Sequence, residues 1–213
     1  MQNFQEPRDL PKHFCACYAA SKDRSVLVQH FLSQGVLRGE QVLCIVPDPD
    51  VASGQFLKAC SADGVSPSNA AQVIFHRAES IYVPHGVFDP DRVLSLLVSC
   101  VQSALEMGFS GVRVVSDALW LLTHPLGAHQ VVEYEHRVNR VAAGMPCSLL
   151  CFYPGKAFPK AFLAYILLSH PYIIKKDGCF WNPRYEDFDA LMQTRFHEAT
   201  YDTFIRELVP IHT

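Results

Sequence analysis

The sequence predicts an α/β fold: a mostly parallel sheet with helices on both faces, followed by a C-terminal hairpin and helix. Three observations carry this. Short apolar runs alternate with stretches of helical periodicity along the chain. The runs are apolar at nearly every position, as strands buried on both faces are, instead of alternating with polar residues. Gly, Pro and Asp mark the joins between them. A chain of 213 residues, 49% hydrophobic and 18% charged, can bury the core such a sheet needs.

Met1 to Lys12 is expected to be a flexible lead-in, polar and Pro-containing, without the apolar centre of a signal peptide. His13 to Tyr18 is the first strand, with His13, Cys15 and Cys17 on one face. Ala19 to Ser25 is expected as a loop, and Asp23 or Ser25 caps a helix over Val26 to Gln34 that Gly35 ends. The second strand, Val42 to Val46, is broken by Pro47-Asp48-Pro49-Asp50. A helix over Val51 to Ala62 stops at Asp63-Gly64, and Gln72 to His76 is the third strand. After an expected loop, Arg77 to Phe88, Asp89-Pro90-Asp91 opens the clearest helix: an N-cap, a proline in the first turn and an acid beside it. Gly108 suits the position just past its end. Residues 111–116 form a buried strand with Asp117 at its carboxyl end. A helix over Leu126 to Ala142, a strand over Cys147 to Tyr153, a helix over Pro159 to Ser169 and a hairpin over Tyr172 to Trp181 follow. Asp187 or Asp189 starts a last helix expected to reach Leu208 and, within 186–213, to pack on the domain or meet a partner.

Composition excludes several roles. The net charge is −3, the pI is near 6.3 and no basic stripe occurs, which disfavours nucleic-acid binding. No apolar run approaches the ~18 residues of a membrane span. Eight cysteines sit mostly inside apolar runs with no CxxC pair, as expected for reduced thiols in a cytoplasmic protein and not for a disulfide framework or an ordinary structural zinc site.

An acid ending a buried strand, such as Asp117, holds the metal ion in nucleotide-hydrolysing proteins with a phosphate loop. That chemistry needs glycines whose N–H groups converge on phosphate and a lysine beside them. The loop after the first strand, Ala19-Ala20-Ser21-Lys22-Asp23-Arg24-Ser25, has no glycine, and Asp23 follows its lysine. ATP hydrolysis is therefore not expected, and no GxGxxG, GxSxG or HExxH occurs elsewhere.

The order of motifs is nevertheless familiar. Phe31 to Glu40 before an apolar strand, the Gly64 turn and the strand ending in Asp117 are similar to RecA/KaiC-like domains. His13-xxx-Cys17-Tyr18, Tyr82 with Gly86-Val87-Phe88-Asp89, Gly108-Phe109-x-Gly111-Val112-Arg113-Val114, Tyr134-Glu135 with Asn139, Cys151-x-Tyr153, His170-Pro171 and Asn182-Pro183-x-Tyr185 narrow it. Over residues 13–185 this set resembles the MEDS domain, the methanogen/methylotroph DcmR sensory domain. The resemblance implies a three-layer RecA/KaiC-like sheet with a degenerate phosphate loop. It also implies a non-catalytic prokaryotic sensor of simple hydrocarbon derivatives, working in signal transduction or transcriptional regulation. Such domains are often fused to output modules. Here output is expected through a partner chain, namely a histidine kinase, an anti-sigma factor or a regulator; a homodimer is also open.

In a fold of that kind the strand at 148–153 lies beside the strand at 13–18. His13, Cys15, Cys17, Tyr18, Asp117, Trp120, Cys151, Tyr153 and His170 are then the candidate ligand-binding residues, gathered at one end of the sheet. Thiols and aromatics with one or two polar groups suit a small, weakly polar organic ligand. Each residue has a plainer alternative: the cysteines as core, the histidines bonded to backbone, Asp117 ordering a turn. His13, Cys15 and Cys17 span ~13 Å along a strand, too far for one ion, so no metal and no cofactor is expected. A protein-interaction module with a vestigial site, a metal-binding sensor and an enzyme acting through Cys17 or His170 remain the other readings.

Overall fold

A computed structural model of the chain describes residues 13–18, 21–63, 66, 72–175, 178–193 and 205–210. The expected lead-in (1–12), the start of the first loop (19–20), the Gly64 turn, the tip of the hairpin (176–177) and the middle of the expected last helix (194–204) lie outside the described residues.

The elements run β1 (His13–Tyr18), α1 (Ser21–Leu37), β2 (Gln41–Val46), α2 (Pro49–Asp63), β3 (Val73–Arg77), α3 (Ala78–Tyr82), α4 (Pro90–Glu106), β4 (Val112–Asp117), α5 (Trp120–Thr123), α6 (Ala128–Ala143), β5 (Cys147–Pro154), α7 (Lys160–Leu168), β6 (Tyr172–Lys175), β7 (Gly178–Trp181), α8 (Phe188–Met192) and β8 (Val209–Pro210). They build an α/β fold around one eight-stranded sheet in the order β3-β2-β4-β5-β1-β6-β7-β8. Strands β1 to β6 pair in parallel, while β7 and β8 are antiparallel additions at one edge. Strands β2, β4 and β5 are buried at every position, which explains why their runs are mostly apolar, with Arg113 and Ser148 among the buried exceptions. As expected, β5 lies beside β1, with Cys151 opposite Cys15.

Side chains alternate between two cores. Phe14, Ala16, Val42, Cys44, Val115, Leu150 and Phe152 pack with Phe31 and Leu32 of α1 and Phe56 of α2. Cys15, Leu43, Val114, Leu149, Cys151 and Tyr153 pack on the other face with α3, α4, α6 and α7. The functional chemistry gathers on this second face.

Local signals account for several joins. Asp89 caps α4 by accepting from the Arg92 N–H at 3.1 Å, with Pro90 at the first position, and Gly108 follows the helix at φ +87°. Gly111 allows a close approach, since a Cβ there would stand 2.3 Å from the Pro146 carbonyl oxygen. Arg113, fully buried, meets Glu40 Oε2 at 2.5 Å and lies over the Phe31 ring at 4.4 Å.

Four expectations are revised. Helix α1 begins at Ser21, so most of the expected loop is its first turn, and it passes through Gly35 to Leu37. Gly35 is a packing residue, not a stop: a Cβ there would lie 2.7 Å from Arg113 Cδ, and the turn is made at Gly39, φ +70°. The expected loop at 77–88 contains α3, a single turn too short to show a period, which buries Ala78 and Tyr82. As expected, Asp117 stands at the carboxyl end of β4, where it is fully buried. Finally, Asp187 caps α8, accepting from the Ala190 N–H at 3.0 Å, but α8 ends at Met192 and the chain returns as β8, pairing Val209 with Trp181. The cap signal at Asp187 holds; residues 205–207 are again helical, and β8 begins just past the expected end of the helix at Leu208.

Candidate functional site

Helix α6 is amphipathic, and its buried face carries Val131, Val132, Val138 and Ala142, but also Glu135. A carboxylate on the core face needs partners, and Glu135, 3% exposed, finds them across the sheet. Its Oε1 accepts from the Tyr153 hydroxyl at 2.5 Å. Its Oε2 lies 3.2 Å from His13 Nε2 and 3.5 Å from His170 Nε2. Cys151 Sγ completes the group, 3.3 Å from His13 Nε2 and 3.8 Å from Glu135 Oε2. The two imidazoles touch, with centroids 4.3 Å apart.

The far side of each ring is also satisfied. Asn139, one turn after Glu135, donates its amide to the Ser169 carbonyl at 2.8 Å, which leaves Oδ1 to accept from His13 Nδ1 at 2.9 Å. His170 Nδ1 lies 2.7 Å from the Ile166 carbonyl oxygen and donates to it. With Nδ1 bonded outward in this way, both rings turn Nε2 toward Glu135. His170 Nε2 is buried and makes no hydrogen bond.

The electrostatics follow from this crowding. Burial pushes the Glu135 carboxyl up, but His170 and His13 beside it outweigh burial and hold it well below the usual carboxylate range. Burial, with the neighbouring His13, lowers His170, against the pull of Glu135. Burial and then Glu135 push the Cys151 thiol and the Tyr153 hydroxyl well up. His13, Glu135, Cys151 and His170 each offer a ligand atom, all within 4.8 Å of one another, a set that could hold a metal ion.

Beside the cluster lies an apolar cavity of about 210 Å³. Leu43, Ile45, Val114 and Leu149 of the sheet line it from below, and Val93, Leu97 and Cys100 of α4 from above. Tyr82, Ser116, Tyr134, Cys151 and His76 supply its polar groups. Tyr82 stacks on Trp120 at 4.7 Å, Phe88 meets Tyr134 edge-on at 5.3 Å, and the Tyr82 and Ser116 hydroxyls are 2.6 Å apart. Between these aromatics and Glu135 is a void of about 20 Å³, room for one water.

Of the candidate residues, His13, Cys151, Tyr153 and His170 come together around Glu135. Trp120 belongs to the adjoining aromatic wall. Cys15 and Cys17 share the face, their sulfurs 4.0 Å apart, but neither is among the four ligating residues. Tyr18 and Asp117 point to the opposite face, where Tyr18 meets Phe152 edge-on. Asp117 accepts from the Leu119 N–H at 3.0 Å and so orders the turn into α5. The cluster sits under α6 on the face of the sheet, with His13 at the amino-terminal end of β1, rather than beyond the carboxyl ends of the strands.

Sequence reasoning missed Glu135 as the hub, and with it Asn139, Tyr82, Ser116 and Tyr134. One signal was available: Glu135 interrupts the apolar stripe of an amphipathic helix, and Asn139 follows it at i+4. The motif residue Asn182 has a supporting role. It donates to the Leu167 and His170 carbonyls at 2.7 and 3.0 Å, fixing the segment that carries His170.

Among the described residues, no helix is long and apolar enough to cross a membrane, and the cysteines described there are free thiols. No curated protein sequence matches the chain. The family model of the MEthanogen/methylotroph, DcmR Sensory domain matches residues 12–171, a span that contains β1 through α7 and all four residues of the buried cluster. The chain belongs to the MEDS family of sensory domains.

Proposed function

We propose that this domain is a non-catalytic sensor of a small, mainly apolar organic molecule, a simple hydrocarbon derivative, held in the cavity between α4 and the sheet. The observation that carries this is the cavity itself: about 210 Å³, with aliphatic walls and a few hydroxyl and thiol groups at one end. Apolar cavities of this order stay dry and take up compact apolar ligands. Membership of a sensory family supports the same role.

The fold reading is RecA/KaiC-like with a degenerate phosphate loop. Support comes from β5 beside β1, and from α1 starting at Ser21, three positions after β1 ends. That interval leaves no room for a phosphate-wrapping loop. Signalling proceeds in the cytoplasm through a partner protein: a histidine kinase, an anti-sigma factor or a transcriptional regulator. Ligand occupancy shifts the packing of α4 and α6, and hence association with that partner.

The test is a thermal-shift screen of the full chain against halocarbons, short alcohols and ATP. A saturable rise in Tm with a halocarbon or alcohol, and none with ATP, is expected. No response to any organic probe overturns the sensor reading, and a response to ATP overturns the loss of the phosphate site.

A further inference from the structure

We propose that His13, Glu135, Cys151 and His170 form a metal site that takes one first-row divalent cation of borderline softness, zinc being the best fit. This goes beyond the organic-ligand reading and does not depend on it.

The donor set suits such an ion. Imidazole nitrogen, carboxylate oxygen and thiolate sulfur are the ligands zinc takes, in four-coordinate tetrahedral geometry. Bonds of about 2.0 to 2.3 Å in a tetrahedron separate neighbouring donors by roughly 3.3 to 3.8 Å. Four of the six donor pairs fall on or close to that scale: 3.2 Å from His13 Nε2 to Glu135 Oε2, 3.3 Å from His13 Nε2 to Cys151 Sγ, 3.5 Å from His170 Nε2 to Glu135 Oε2 and 3.8 Å from Cys151 Sγ to Glu135 Oε2; the two pairs between His170 and the other donors lie within 4.8 Å and would close slightly on an ion.

Orientation gives a second, independent reason. Both histidines donate their Nδ1 protons outward, to Asn139 Oδ1 and to the Ile166 carbonyl oxygen. Zinc-ligating histidines are held in this way by outer partners. With their outer nitrogens committed, both Nε2 atoms face the Glu135 carboxylate, the orientation in which a cation between them would be held. His170 Nε2, fully buried and without a hydrogen bond, is the clearest sign of the unfilled role.

Charge closes as well. A dication with one thiolate, one carboxylate and two neutral imidazoles is neutral overall, which a buried site requires. The Cys151 proton leaves to solvent on binding. All four coordination positions are filled by protein, the pattern of a closed structural site. The ion would tie β1, α6, β5 and the end of α7 together, and because Cys151 also lines the cavity, it would stiffen that wall.

The test uses the full chain purified without a polyhistidine tag. Elemental analysis, before and after loading with zinc, is expected to find one equivalent per chain. Cobalt loading is expected to give a thiolate-to-cobalt charge-transfer band that Cys151→Ser removes. Asn139→Ala touches no ion and leaves the four donors intact; it is expected to weaken zinc about 10- to 100-fold in a chelator competition. Absence of stoichiometric metal after loading overturns the proposal. So does binding that Cys151→Ser leaves unchanged, since that would locate the ion at other thiols.

Discussion

Filling the cavity tests whether it is the sensory site. Cys100 is half-buried on α4 and its side chain lines the cavity, so Cys100→Phe directs a ring into the space without touching a strand. A ligand with three heavy atoms gains at most about 4.5 kcal/mol, which corresponds to near-millimolar affinity. At a hundred times Kd, such binding adds about 2.7 kcal/mol of stability. For a domain of this size that raises Tm by about 5 to 11 °C. The assay is differential scanning fluorimetry of both proteins with and without dichloromethane, with circular dichroism to show that the variant is folded. The variant should hold or raise the unliganded Tm and lose most of the ligand-induced rise. A folded Cys100→Phe protein that keeps the full rise would refute the assignment of the cavity.

Three further outcomes follow from the same geometry. Glu40→Ala removes the carboxylate from fully buried Arg113 and should cost about 3 to 5 kcal/mol in urea denaturation; a loss below about 1 kcal/mol would contradict the importance of the pair. Gly111→Ala forces a Cβ toward the Pro146 carbonyl, 2.3 Å away, so β4 and the turn before β5 must separate; chemical denaturation should show a loss of about 1 to 3 kcal/mol, and a neutral result would show that the approach relaxes freely. Asp117→Asn keeps an acceptor for the Leu119 N–H but exchanges a charged acceptor for a neutral one; it should cost about 1 kcal/mol and leave ligand-induced shifts unchanged, whereas a lost shift would bring Asp117 back into the binding site.

Much of the framework could be read along the chain because its causes are local. The cap at Asp89, the turn glycine at Gly108 and the mostly apolar runs of β2, β4 and β5 each depend on neighbours a few residues away. Where tertiary demands competed, local reading failed. Gly35 looks like a helix stop but makes room for Arg113, and the helix begun after Asp187 ends at Met192.

The sequence by itself determined that the protein is a mostly parallel α/β domain, that it lacks the glycines of a phosphate loop, and that His13, Cys151, Tyr153 and His170 are worth watching. Period two on β1 put His13, Cys15 and Cys17 on one face, and the family resemblance put β5 beside them. Only the tertiary structure decided which of those residues meet. His13, Glu135, Cys151 and His170 come from β1, α6, β5 and the segment after α7, and no spacing along the chain encodes their convergence. What brings them together is the docking of α6 across the sheet, which carries one carboxylate into the core and leaves it to find partners there. The cavity beside them arises the same way, from how α4 and α6 rest on the sheet, a property of packing with no counterpart in any single stretch of sequence.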